Sequence, residues 1–265
     1  MTVNADAGPA ATRAEPATGD VDRPEGVSGP VWLAAGTAAW FTGRATGSIA
    51  HRRPHQPRRL ARVRAAVADL IGVSVDALHF MQQLHGAEVG VVDADTVSGA
   101  ELRGVDALVT AEPDRALTVQ VADCVPLLLG SSAGPVAAVH AGRRGVVASV
   151  VEASLEALDR LGASPQTLRA AIGPAIGGCC YEVPLALQRD VTDREPAADA
   201  TTAWGTPSLH LPGAVAAILR RWGVEIVEDW LGCTRCDPSA RWFSYRADHR
   251  AGRQAGIVVR HSEAA

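Results

Sequence analysis

Two histidines and a cysteine stand where apolar runs of this sequence give way to glycine or proline. His85 follows the run 80–84 and precedes Gly86; Cys124 follows 119–123 and lies just ahead of Pro126; His140 follows 136–139 and leads into Ala141-Gly142. Strand ends that feed such turns hold side chains on a rigid sheet while aiming them into open space. Two imidazoles and one thiolate match Zn²⁺ in softness, and three protein ligands leave a fourth position open, as a catalytic zinc requires. The same residues also read without a metal: Cys124 as nucleophile, His140 as its base and a backbone N–H pair on the oxyanion describe an acyl hydrolase. A cysteine after a strand is also commonly a small buried apolar residue. Spacing alone leaves these readings open, because the ligands are far apart along the chain.

Other residues carry weaker signals. Cys233 and Cys236 form a C-x-x-C, but no second Cys/His pair lies at finger spacing, which argues against a zinc ribbon. Cys179 and Cys180 end a glycine-rich stretch, 173–178, that reads as a tight turn and lacks the Gly-Lys-Ser/Thr of a phosphate loop. Arg144, Arg246 and Arg253 each lie near a glycine turn or a strand end, where a guanidinium can clamp phosphate or carboxylate.

The elements that must position these groups follow from periodicity. Helical spacing predicts helices at 57–71, 146–161 and 211–222. Short apolar runs predict strands at 79–84, 88–92, 107–110, 117–121, 125–129, 136–139, 168–172, 224–230, 242–246 and 256–259, with further strand material at 31–41. Strands outnumber helices and follow one another closely, which favours mixed or antiparallel sheets covered by helices over a regular βαβ series.

The chain has 265 residues, 47% of them hydrophobic, enough for one sizeable core. Residues 1–29 hold almost no large apolar side chains and read as a disordered tail, leaving a single domain at 30–265. With 25 basic and 29 acidic residues the net charge is −4, so no polyanion partner is forecast, neither nucleic acid nor an acidic surface. Every basic residue is Arg. No run approaches the ~18–20 apolar residues of a membrane helix, and no secretory signal is visible. Five cysteines are a poor disulfide framework and fit a reducing, cytoplasmic setting; separately, a monomer or weak homodimer is expected.

Taken together the motifs resemble a known family. Gln83-Leu84-His85-Gly86 with Val89 is similar to Q-V-H-G-x-x-V, Asp106 to Thr110 to D-A-x-V-T, and Ala122-Asp123-Cys124-Val125-Pro126 to A-D-C-x-P. His140-Ala141-Gly142-Arg143-Arg144-Gly145 resembles H-A-G-W-R-G, and Ile172-Gly173-Pro174 with Cys179-Cys180-Tyr181-Glu182-Val183 resembles I-G-P-x-I-G-x-C-C-Y-E-V. Cys233-Thr234, Phe243-Ser244-Tyr245-Arg246 and Gly252 to Gly256 match a C-terminal signature. This is the YfiH-like family, also labelled polyphenol oxidase or laccase domain and described as purine nucleoside phosphorylases.

The resemblance implies a layered α/β/β/α sandwich with mixed sheets and Zn²⁺ on His85, Cys124 and His140. It implies phosphorolysis of adenosine, inosine and methylthioadenosine, with adenosine deamination beside it. Arg144 or Arg246 would then hold phosphate, and Asp123 would handle a proton or orient a neighbour. Two departures stand out. The family tryptophan is Arg143, and the N-terminal F-T-T-R-x-G-G-x-S pattern survives only as Phe41-Thr42-Gly43-Arg44 and Gly47-Ser48, which leaves Arg44 as a further phosphate candidate.

Overall fold

Apolar strands build two six-stranded sheets whose central strands are buried. In the computed structural model, which describes residues 26–50 and 56–262, the chain opens with β1 (Val27–Ala34) and β2 (Thr37–Thr42), then α1 (Pro57–Ile71). Six strands follow: β3 (Leu78–Gln82), β4 (Val89–Val91), β5 (Glu101–Arg103), β6 (Ala107–Thr110), β7 (Ala116–Val121) and β8 (Val125–Ser131). Next come β9 (Val136–Ala141), α2 (Arg143–Val147), α3 (Val150–Arg160), β10 (Leu168–Ile172) and α4 (Leu185–Thr192). The chain closes through β11 (Asp199–Thr201), β12 (Pro207–Leu209), α5 (Leu211–Arg221), β13 (Glu225–Asp229) and β14 (Gln254–Arg260).

One six-stranded sheet runs β1-β2-β14-β7-β3-β5 and the other β13-β10-β8-β9-β6-β4; β11 and β12 pair apart from both. Each sheet mixes parallel and antiparallel neighbours: β10 is antiparallel to β8 but parallel to β13. The two-residue period of a strand decides which layer each side chain enters. On β8, Leu127 and Leu129 face the cluster shared with α2, α3 and α5, while Leu128 faces the other sheet. On β2, Ala39 and Phe41 point between the sheets and Ala38 and Trp40 point toward α1. The result is the α/β/β/α sandwich in one domain. Leu127, Leu128 and Leu129 are all fully buried, each stabilising by about 1.5–3 kcal/mol relative to exposure.

Helix α1 coincides with its expected bounds: Pro57 occupies its first turn and Gly72, in the left-handed region at φ 72°, closes it with an N–H to Asp69 O. The single helix expected at 146–161 is two. The break falls at Ala148-Ser149, where Ser149 adopts φ 67°. The strand expected at 242–246 is a turn, because its backbone is engaged by side chains instead of a ladder: Phe243 N–H donates to Gln254 Oε1 and Arg246 N–H to Asp123 Oδ2. Strand β1 starts at Val27, inside the stretch read as tail; residues 1–25 lie outside the described residues.

Candidate metal centre and its cavity

Three adjacent strands, β6, β9 and β8, place the chemistry. His140 lies on β9, paired with Pro126 of β8, so Cys124 sits just outside the end of β8 on the same side of the sheet. On the other flank, Asp106 immediately precedes β6 and its carbonyl accepts the His140 backbone N–H at 2.7 Å. The Asp106 carboxylate is fully buried and accepts three successive amides, Leu84 (3.1 Å), His85 (2.9 Å) and Gly86 (2.6 Å). Those bonds wrap the turn after β3 around one anion and hold His85 at φ 61°, a left-handed conformation that turns its ring toward the strand ends.

The ligand atoms of His85, Cys124 and His140 all lie within 4.8 Å of one another, and the imidazole centroids are 4.7 Å apart. His140 Nδ1 is 2.8 Å from Asp106 Oδ1, which leaves Nε2 for the centre. A carboxylate behind a histidine in this way fixes its tautomer and raises its basicity as a ligand. Gly142 passes so close that a Cβ there would stand 2.7 Å from His85 Nδ1 and 3.1 Å from Cys124 Sγ. Two imidazoles, one thiolate and an orienting carboxylate fit a three-ligand zinc site with an open fourth position.

The electrostatics agree. Burial pushes the Cys124 thiol up, but His140 and His85 outweigh it and bring it down to about 6. Burial pulls His140 down, but Cys124 and Asp106 outweigh it and raise it to about 9. Burial raises Asp106, while His140 and the Gly86 and His85 amides carry it below the ordinary carboxylate range. Without a metal in place of the ring's proton, the pair is therefore poised as a thiolate beside a cationic ring.

The centre lies in a cavity of about 670 Å³, within the range of small-molecule sites. His85, Cys124, His140, Asp123 and Arg246 line it, as do Arg253, Tyr181 and Tyr245. Burial raises the Tyr181 phenol and Cys124 adds to this, with Arg143 and Arg246 pulling back. Arg143, which stands where the resembling motif has tryptophan, is thus one of the charges acting on the Tyr181 phenol. Arg144 points outward from α2 and lines no part of the cavity; Arg44 lines a neighbouring space of about 400 Å³ with Arg59 and Arg250. Both Asp123 oxygens are engaged, by Thr234 Oγ1 at 2.5 Å and Arg246 N–H at 2.7 Å. Asp123 thereby anchors the C-terminal loops.

Sequence reasoning gave no role to Asp106, although its D-A-x-V-T was in view, nor to the Gln83 side chain, which brackets Gln120 through both backbone groups. It also set aside the C-x-x-C. The structure brings Cys179 and Cys180 beside it: with Cys233 and Cys236 their sulfurs lie within 4.8 Å of one another.

The family model described as multi-copper polyphenol oxidoreductase laccase matches residues 23–261. The chain belongs to this family. Among its relatives, a purine nucleoside phosphorylase of Streptomyces coelicolor is 47% identical over 196 residues, covering 74% of this chain and 80% of that one. A protein named adenosine deaminase from an unknown prokaryotic organism is 34% identical, covering 74% of this chain and 79% of that one. The crystal structure of YlmD from Geobacillus stearothermophilus superposes with a TM-score of 0.77 at 26% identity, covering 86% of this chain and 93% of that one. The family's fold is the layered sandwich described above.

Proposed function

We propose that the protein is a zinc-dependent purine nucleoside phosphorylase of the cytoplasm, acting on adenosine, inosine and methylthioadenosine, with adenosine deamination as a companion activity. The observation that carries this reading is the convergence of His85, Cys124 and His140 on the wall of a nucleoside-sized cavity, in a chain 47% identical to a named phosphorylase.

The residues divide the work as follows. His85, Cys124 and His140 would hold the zinc, which when bound supplies Lewis-acid activation of an oxygen nucleophile or leaving group. Asp106 keeps His140 oriented. Tyr181 and Tyr245 offer aromatic faces to a purine. Arg246, whose guanidinium lies over the Tyr181 ring at 5.2 Å, and Arg253 bring positive charge to the same space, where phosphate and the ribose would meet. Arg246 is held by its own N–H to Asp123 and by Nη1 to the Glu182 carbonyl at 3.2 Å, so it presents a fixed charge. Orienting both reactants in this way would lower the entropic part of the barrier.

A multicopper oxidase needs several metal centres. Among the described residues there are two clusters able to share an ion, and just one contains histidine. A nucleoside panel assayed with and without phosphate, on protein of measured metal content, tests the proposal. Free base released from adenosine or inosine only with phosphate is the expected result, lost in Cys124→Ser and His140→Ala. Release that does not need phosphate would identify a hydrolase instead, and tight binding without turnover would leave a binding protein.

A further inference from the structure

The parallel strands β10 and β13 send their following loops out side by side, with Ile172 opposite Asp229 at the strand ends. The loops stay zipped: Ala175 bridges Cys233, Ala175 N–H donates to the Gly232 carbonyl, and Thr234 N–H donates back to Ala175 O at 3.0 Å. One loop carries Cys179 and Cys180, the other Cys233 and Cys236. We infer that these four cysteines form a second zinc site, all-thiolate and structural, which clasps the two loops and braces one wall of the cavity.

The geometry is that of a tetrahedral site. Four sulfurs at the usual Zn–S distance of about 2.3 Å stand about 3.8 Å from each other; Cys179 Sγ and Cys236 Sγ are 3.6 Å apart and the whole set falls within 4.8 Å. The surroundings of Cys233 favour thiolate. Gly177 N–H donates to Cys233 Sγ at 3.3 Å, and the amides of Arg235 and Cys236 favour the same sulfur, as in a metal-binding knuckle where backbone N–H groups point at the first cysteine. The turn that delivers Cys179 and Cys180 tolerates no side chain at its glycines: a Cβ at Gly177 would meet the Trp230 ring at 2.8 Å and one at Gly178 the Ala200 Cβ at 2.6 Å. On binding, each protonated thiol gives its proton to solvent as its sulfur takes the metal.

The clasp acts on the cavity without touching substrate. Thr234, between Cys233 and Cys236, donates to Asp123, the neighbour of Cys124. Tyr181, next to Cys180, and Ile176 line the cavity itself. The inference stands apart from the reaction proposed above, since it concerns different ligands.

Zinc content decides it. Protein made in zinc-supplied medium and freed of loose metal should hold about two zinc ions per chain, falling to about one in Cys124→Ser, about one in Cys236→Ser and none in the double variant. Cys236→His should keep the ion, guarding against a variant that fails to fold. Cobalt(II) loaded into Cys124→Ser should show strong thiolate-to-metal charge-transfer absorption that Cys236→Ser removes. The inference is overturned if Cys124→Ser retains no zinc, if Cys236→Ser loses none, or if mass spectrometry of the unreduced protein finds the four sulfurs joined as disulfides.

Discussion

Asp106 Oδ1 stands 2.8 Å from His140 Nδ1 with both side chains sealed from solvent, so one carboxylate joins the turn that holds His85 to the ring of the second histidine. Asp106→Asn keeps the shape and removes the charge. Zinc affinity of the first centre is expected to fall ~10–100-fold, read by competition with a chromogenic chelator. Because the folded carboxylate lies below its ordinary range, its stabilising contribution is complete above the unfolded value of about 4 and fades as pH falls through the lower folded one. Acid unfolding of the metal-free protein should therefore lose that component in the variant; an unchanged acid limb would contradict the assignment.

Gly142 tests the closeness of the centre. Its φ of −77° suits alanine, but the space does not, since a Cβ would stand 2.7 Å from His85 Nδ1. Gly142→Ala should cost about 1–3 kcal/mol by overpacking and displace His85. A folded variant with normal zinc at the first centre would show that the close approach is not needed.

The metal-free thiol should betray its surroundings. With Cys124 brought to about 6, alkylation in chelator-treated protein should rise through pH about 6, since the thiolate is the nucleophile. Burial above all, with its sulfur neighbours, pushes Cys180 up to about 11 and Cys179 higher still, so mapping of labelled peptides at neutral pH should find Cys124 ahead of both. His140→Ala should move the midpoint upward; a midpoint that stays put would rule out ring–thiol coupling.

The arginines separate by position. On the proposed reading Arg246→Ala removes a charge-assisted contact of about 1.5–3 kcal/mol and should raise the KM for phosphate ~10–100-fold. Arg144→Ala, outside the cavity, should leave phosphate KM within about twofold. The reverse pattern would return phosphate to α2.

Much of this was legible in sequence because burial is periodic. Helix α1 and strand β10 follow from apolar spacing alone, with Pro57 and Gly72 marking the ends of α1. The break between α2 and α3 was hidden, since Ser149 takes a left-handed conformation without the glycine that would announce it. The turn near Phe243 looks like a strand by composition, and only its tertiary partners, Gln254 and Asp123, reveal otherwise. The three ligands were named from strand ends and motif. Asp106 escaped because a buried carboxylate is recognised by what it accepts, and its donors lie about twenty residues upstream and on a neighbouring strand. The cysteine pairs escaped for the same reason: they become neighbours only through the pairing of β10 with β13.

Strand β14 lies between β2 and β7, in the interior of its sheet. A segment made after both of its neighbours therefore enters the middle of a layer whose flanks were synthesised before it. Until residues 254–260 have left the ribosome, β2 and β7 each show an unpaired edge, a state prone to wrong partnerships. A nascent or prematurely terminated chain would be a ligand for chaperones before it could be a catalyst.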